Sequence, residues 1–270
     1  MNTKKEQLPW VLLSIADNVY AISCESVISL MQLGPVIPVP KVPEEIRGVV
    51  KFREQVISLV DMRKVLNLKP LEAEIQEFYD LMDVRKQDHI NWITTLEKSV
   101  QDKTKFTLTT DPHACAFGKW YDSYKSKNTN IMFSVTFARF DTPHKAIHQI
   151  GVEVNKLIEK NDYEAASEII EATKDAEFKQ MMHLFDELKE SYRESKREIS
   201  LILGDGKNNL CISVDEIVAI EYLTEIDQEL IKSTITETEF LIGIGKRKNG
   251  LTALLLNDEY IMNTFLGQQA

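Results

Sequence analysis

Four of the five histidines fall between positions 89 and 148, and Cys115 falls among them. Imidazole nitrogen and thiolate sulfur are the ligands zinc prefers, whereas calcium and magnesium need oxygen donors. His144 and His148 are four positions apart in a stretch with helical periodicity, so both rings project from one face about a turn apart and can hold one metal ion. Alone, such a pair also arises as two surface histidines. Cys115 stands in Pro112-His-Ala-Cys-Ala-Phe-Gly-Lys-Trp-Tyr121, just inside the expected start of a helix, where the dipole and any nearby cation lower a thiol pKa. His89 precedes Trp92 by three positions on a long helix, so the imidazole and the indole share a face and the indole can shield the site. Three imidazoles and one thiolate fill a tetrahedral zinc shell and leave no position for a catalytic water. Such a site is structural or sensory rather than hydrolytic. Taken singly, His89 also reads as a half-buried bundle histidine and Cys115 as a small buried hydrophobe.

The remaining histidines and cysteines carry less. His113 precedes the thiol by two residues and is expected to point to solvent, and His183, within Met181-Met-His-Leu-Phe185, has no partner at ligand spacing. Cys24 and Cys211 occupy strand-like positions and read as core residues. Three scattered cysteines make no disulfide framework, which fits a reducing compartment. There is no His-Glu-x-x-His motif, and the chain is not expected to be an enzyme.

The elements that must position these residues show in the punctuation. Of the ten glycines only two, Gly118 and Gly151, fall between residues 49 and 203. The flanks carry β-branched alternation at turn-separated intervals: 11–15, 20–23, 56–60, 199–203, 210–214, 217–220 and 251–256, the pattern of small barrels or sandwiches. From Leu71 to Arg197 apolar residues recur at three- and four-residue steps in a Glu- and Lys-rich background, which predicts helices over 72–101, 112–126, 128–140, 142–160, 162–172 and 175–197. Pro112 and Pro143 can each stand in a first helical turn. A β, then all-α, then β order means three domains or a bundle inserted into a split β domain. The terminal parts, each about 70 residues, are small for independent barrels and favour the insertion.

A net charge of −10 argues against nucleic acid, which needs a basic patch. Residues 159–198 hold twelve acidic and seven basic groups, half of that net charge, and read as a solvated helix face. The longest apolar runs, such as 8–15 and 251–256, fall far below the ~20 residues of a spanning helix, so no membrane insertion is expected. Lys4 and Lys5 precede an apolar stretch that Asp17 and Asn18 interrupt before any cleavage pattern, so export is not expected and a cytoplasmic location is.

His89-Ile-Asn-Trp92, Cys115-Ala-Phe-Gly-Lys-Trp-Tyr121 and His144-Lys-Ala-Ile-His148, in this order in a helical segment, resemble the chemoreceptor zinc-binding (CZB) domain. The resemblance implies a helical bundle holding one Zn2+ through His89, Cys115, His144 and His148, with the cysteine linked to sensing of hypochlorous acid and related oxidants, or with zinc itself as stimulus. The flanks resemble the two parts of a CheW-like domain: Val11 to Ile22, Ile37-Pro-Val-Pro40, Ile46 to Arg53 and Val56 to Arg63 the first, residues 199–262 the second. The expected domains are 8–72 and 198–267 for the CheW-like parts and 73–197 for the bundle. The fold class implied is α+β: two small SH3-like β-barrels, with the all-α zinc-binding bundle inserted between them. That family bridges the cytoplasmic tips of chemoreceptors and the histidine kinase CheA. Val27 matches an apolar position near its receptor groove, and Arg53 an arginine of its Asn-Leu-Arg-Gly turn; each also reads structurally, as barrel core and as a surface ion-pair residue. This chain has Lys51-Phe-Arg-Glu54 there, so Glu54 replaces the expected glycine. A purely structural zinc in a docking or spacer bundle is the alternative.

Overall fold

The computed structural model describes residues 8–125, 131–229 and 239–266. The chain divides into two compact units, one formed by Met1–Leu71 together with Lys196–Ala270 and the other by Glu72–Ser195. No helix among the described residues is long and apolar enough to cross a membrane.

The first unit holds eleven described strands: β1 (Trp10–Ile15), β2 (Asn18–Ser23), β3 (Val27–Gln32), β4 (Ile46–Phe52), β5 (Gln55–Asp61), β6 (Ile199–Gly204), β7 (Asn209–Val214), β8 (Glu216–Glu221), β9 (Thr224–Asp227), β10 (Leu241–Lys246) and β11 (Thr252–Leu256). They form a six-stranded sheet in the order β8-β1-β2-β11-β10-β9 and a five-stranded sheet in the order β3-β6-β7-β5-β4. Pairing is antiparallel except for β2 with β11 and β5 with β7. Each sheet therefore mixes strands from both ends of the chain. The chain leaves for the bundle after β5 and returns at β6, and both strands belong to the five-stranded sheet.

Alternation along the strands produces three cores. Val11, Leu13 and Ile15 of β1 meet Leu201, Leu203, Leu210, Ile212 and Val214 in a core that both sheets share with Ile261 and Phe265. Between those positions, Leu12 faces Ala21, Leu223, Ala253 and Leu255, while Ile202 and Cys211 face Val50, Phe52, Ile57 and Leu59. The central strand β7 is covered on both faces for this reason, and all six of its residues are buried. Short helices close the unit: α1 (Met62–Val65), capped by the Asp61 carboxylate, and a C-terminal helix over Asp258–Leu266 that the alternation did not predict. Buried Arg63 bonds both carboxylate oxygens of Asp215 at 2.9 and 2.5 Å, and Asp215 also accepts the Ala16 N–H, so one carboxylate ties three chain segments.

The second unit is a bundle of α2 (Leu71–Gln101), α3 (Ala116–Lys125), α4 (Ile131–Ala138), α5 (Asp141–Glu159), α6 (Tyr163–Thr173) and α7 (Lys179–Ser195). The break expected between residues 172 and 175 is instead a five-residue π-helical segment, Lys174–Phe178, that carries α6 into α7 without a turn. Aromatic rings fill the bundle: Phe78 stacks on Tyr192 with centroids 3.8 Å apart, and Tyr121 stacks on Phe137 at 4.3 Å. Arg193 pairs with Glu72, and the Tyr192 hydroxyl donates to Glu74, so the first turn of α2 lies beside the last turn of α7. The bundle's two ends thus come together, as insertion into a single sheet requires.

Candidate metal centre

α2 carries His89, α5 carries His144 and His148, and Cys115 precedes the first residue of α3. The ligand atoms of these four residues all lie within 4.8 Å of one another. The three histidines are buried and Cys115 is half-buried.

The backbone orients each ring. His89 directs Nδ1 to the Arg85 carbonyl one turn earlier at 2.8 Å, and His148 directs Nδ1 to the Thr109 carbonyl at 3.2 Å. The Nε2 atoms of both are buried without a hydrogen-bond partner. His144 turns Nε2 to within 3.3 Å of the Cys115 sulfur. Buried imidazole nitrogens left unpaired are costly and rare, and here they converge with a sulfur. Nδ1–H groups given to carbonyls fix the tautomer that leaves Nε2 free for a metal, the arrangement usual around ligating histidines. The donor set and its orphaned nitrogens fit a zinc ion.

Cys115 corrects one expectation. The helix expected from residue 112 begins at Ala116, which leaves Pro112–Cys115 as a turn over its end. The sulfur stands at the cap position and accepts the Gly118 N–H at 3.1 Å. That bond lowers the thiol pKa, but burial acts more strongly and the net shift is upward. The helix end alone therefore does not make a thiolate, and the cation must supply that stabilisation. Burial favours the neutral form of all three histidines, and neighbouring imidazoles add to it at His144 and His148: His148 is lowered to about 4, and His89 and His144 move in the same direction.

Rings wall the site. Phe117 presents its edge to His144 and His89 at 5.0 and 5.7 Å, and Trp92 lies 5.1 Å from His148 while donating Nε1–H to the same Thr109 carbonyl that holds His148. The two glycines of the central stretch both sit here. A Cβ on Gly118 would lie 1.8 Å from the Pro112 carbonyl oxygen, and one on Gly151 would meet the Trp92 ring at 3.1 Å. Sequence reasoning passed over Gly118, Gly151, Thr109 and Arg85. The scarcity of glycine was the signal for the first two; backbone carbonyls leave no trace in side-chain identity.

His113 is exposed, with Nδ1 2.8 Å from Asp122, and His183 is exposed beside Glu187. Cys211 is buried in β7, and Cys24, half-buried just beyond β2, packs on the shared core. Val27 is half-buried on β3 against that core, and Arg53 is exposed in the β4–β5 turn with its guanidinium over the Phe52 ring. Val27 lies on β3 and Arg53 follows β4, the two outer strands of the five-stranded order. The left-handed residue of that turn is Arg53, at φ 54°, and not Glu54, so a non-glycine at 54 is accommodated.

Two family models match the chain, the CheW-like domain at residues 9–89 and the chemoreceptor zinc-binding domain at residues 89–155. The chain carries a CheW-like domain and a chemoreceptor zinc-binding domain. The zinc-binding match contains all four clustered residues. The CheW-like match runs past the end of the first unit's opening segment at Leu71 and into α2. Among solved structures, that of the scaffolding protein TtCheW from Thermoanaerobacter tengcongensis is 10% identical over 93% of this chain and 89% of that one, with a TM-score of 0.41. No curated protein matches the chain.

Proposed function

We propose that this chain is a cytoplasmic chemotaxis adaptor that couples chemoreceptors to the histidine kinase CheA, and that its zinc-binding domain makes the coupling respond to an oxidant or to zinc. The observation that supports it is the convergence of His89, Cys115, His144 and His148 inside a bundle whose chain ends both lead into one CheW-like sheet. In this reading residues 8–72 and 198–267 are the two parts of the CheW-like domain and 73–197 the sensor. The zinc ligands are Nε2 of the three histidines and Sγ of Cys115. Bound zinc supplies the charge that keeps Cys115 a thiolate, the form that oxidants attack. With four protein ligands no open position serves catalysis, and the role is that of a scaffold.

The chain's own residues do the rest. Arg85 and Thr109 carbonyls hold the histidine rings, and Phe117 and Trp92 exclude water. Oxidation of Cys115 to a sulfenic acid weakens it as a ligand and frees the 112–115 turn, which it also caps. The change passes along the two covalent connections into the five-stranded sheet, where β6 pairs with β3, the strand of Val27, and where the β4–β5 turn carries Arg53. Val27 and Arg53 are the partner contacts proposed on that sheet.

Kinase activity in reconstituted receptor, CheA and adaptor assemblies tests the reading. It should change when the wild-type adaptor is oxidised and stay constant with Cys115→Ser. Equal activity before and after oxidation in the wild type would leave the alternative, a structural zinc in a docking or spacer bundle.

A further inference from the structure

Arg85 has a side chain that metal binding does not explain. It lies one turn before His89 on α2, and its backbone carbonyl accepts the His89 Nδ1–H. The guanidinium Nη1 donates to Asp88 at 2.7 Å, while Nε is buried with no hydrogen-bond partner. A buried guanidinium donor left unpaired is costly, and natural structures seldom keep one without a use. The four-residue turn of a helix places it on the same face as His89, whose ligand nitrogen lies within 4.8 Å of the Cys115 sulfur. The metal cluster uses only the Arg85 backbone, and the buried Nε–H remains for a second state of the site.

We propose that Arg85 is a positioning residue for oxidised Cys115: its Nε–H donates to the sulfenate oxygen and holds that side chain away from the metal. The inference rests on the oxidant reading above. In the step that creates the acceptor, the Cys115 thiolate sulfur attacks one oxygen of hydrogen peroxide. The S–O bond forms as the O–O bond breaks, sulfur gives up two electrons, and the proton of the transferred hydroxyl passes to the departing hydroxide, which leaves as water. The product is a sulfenate anion, which a guanidinium donor holds far better than an uncharged one.

The test uses the full zinc-loaded chain. A hydrogen peroxide pulse is quenched with catalase, and Cys115 sulfenate is trapped with a 1,3-diketone at increasing delays and read by peptide mass spectrometry. Wild type, Arg85→Gln and Arg85→Lys all keep the backbone carbonyl and should carry equal zinc before the pulse. Arg85→Gln should shorten the sulfenate lifetime about tenfold, the effect of one charge-assisted hydrogen bond, and Arg85→Lys should restore most of it. Equal lifetimes in wild type and Arg85→Gln would overturn the assignment, as would zinc loss in Arg85→Gln before any oxidant is added. No adduct at Cys115 in the wild type would overturn both this assignment and the oxidant reading.

Discussion

Cys115 is held by its own backbone independently of any metal: the sulfur caps α3 through the Gly118 N–H and lies 3.3 Å from the Pro112 carbonyl. This turn exists only because position 118 has no Cβ, since one would stand 1.8 Å from a backbone oxygen that cannot move aside cheaply. Gly118→Ala should therefore displace Cys115 and weaken zinc binding at least about tenfold, the scale on which supporting residues act, while far-UV circular dichroism stays helical. Unchanged affinity in a competition titration against a chelator would contradict that role for the turn. Acid offers a second test at this scale. His148 has a folded pKa of about 4 against 6.5 in the unfolded chain, so below pH 6.5 the unfolded state binds more protons. The contribution of a neutral buried His148 is thus complete above pH 6.5 and is lost as pH falls towards 4, with His89 and His144 acting in the same direction. The urea midpoint of the chelated bundle should drop between pH 7 and pH 4.5; a constant midpoint would mean that these rings are solvated.

Among the elements, the connection between α2 and α3 matters most to the site, because Thr109 accepts from both Trp92 and His148. Trp92→Phe keeps an apolar ring but removes the indole donor, so the Thr109 carbonyl is steadied by His148 alone. Zinc affinity should fall roughly tenfold with little change in melting temperature, which isothermal competition and thermal denaturation would separate. The elements differ in how far the sequence announces them. β1, β2, β5, β6 and β7 read as largely continuous apolar runs because both of their faces meet cores, and the helical periodicity of α2, α5 and α7 reflects one buried stripe each. β9 is exposed throughout and shows no such pattern. Pro112 reads as a helix start, yet Gly118 draws the preceding turn across the helix end, a contact between backbone atoms that side-chain types do not record. The four clustered side chains were legible because their types are those zinc prefers; the carbonyls that aim them were not.

In the whole molecule, strand pairing decides where the bundle's two chain connections arrive. Sequence order shows a bundle inserted into a split β domain; pairings such as β2 with β11 and β5 with β7 join residues some 150 or more positions apart, a choice local patterns do not reveal. Both bundle connections enter the five-stranded sheet, and Arg63–Asp215 locks the β unit independently of the bundle. Arg63→Met leaves the Asp215 carboxylate without its charge partner and should cost the β unit about 3 kcal/mol. Chelation should destabilise the bundle instead. Calorimetry would then show two transitions, the first perturbation moving one and the second the other; a single transition shifted by both would contradict separate units. All of this depends on a metal held by four particular side chains. The most direct measurement is elemental analysis of tag-free protein after dialysis, wild type beside Cys115→Ala and His148→Ala. One zinc per chain in the wild type, lost in both variants, is the expected result; no zinc in the wild type, or zinc retained in both variants, would contradict it.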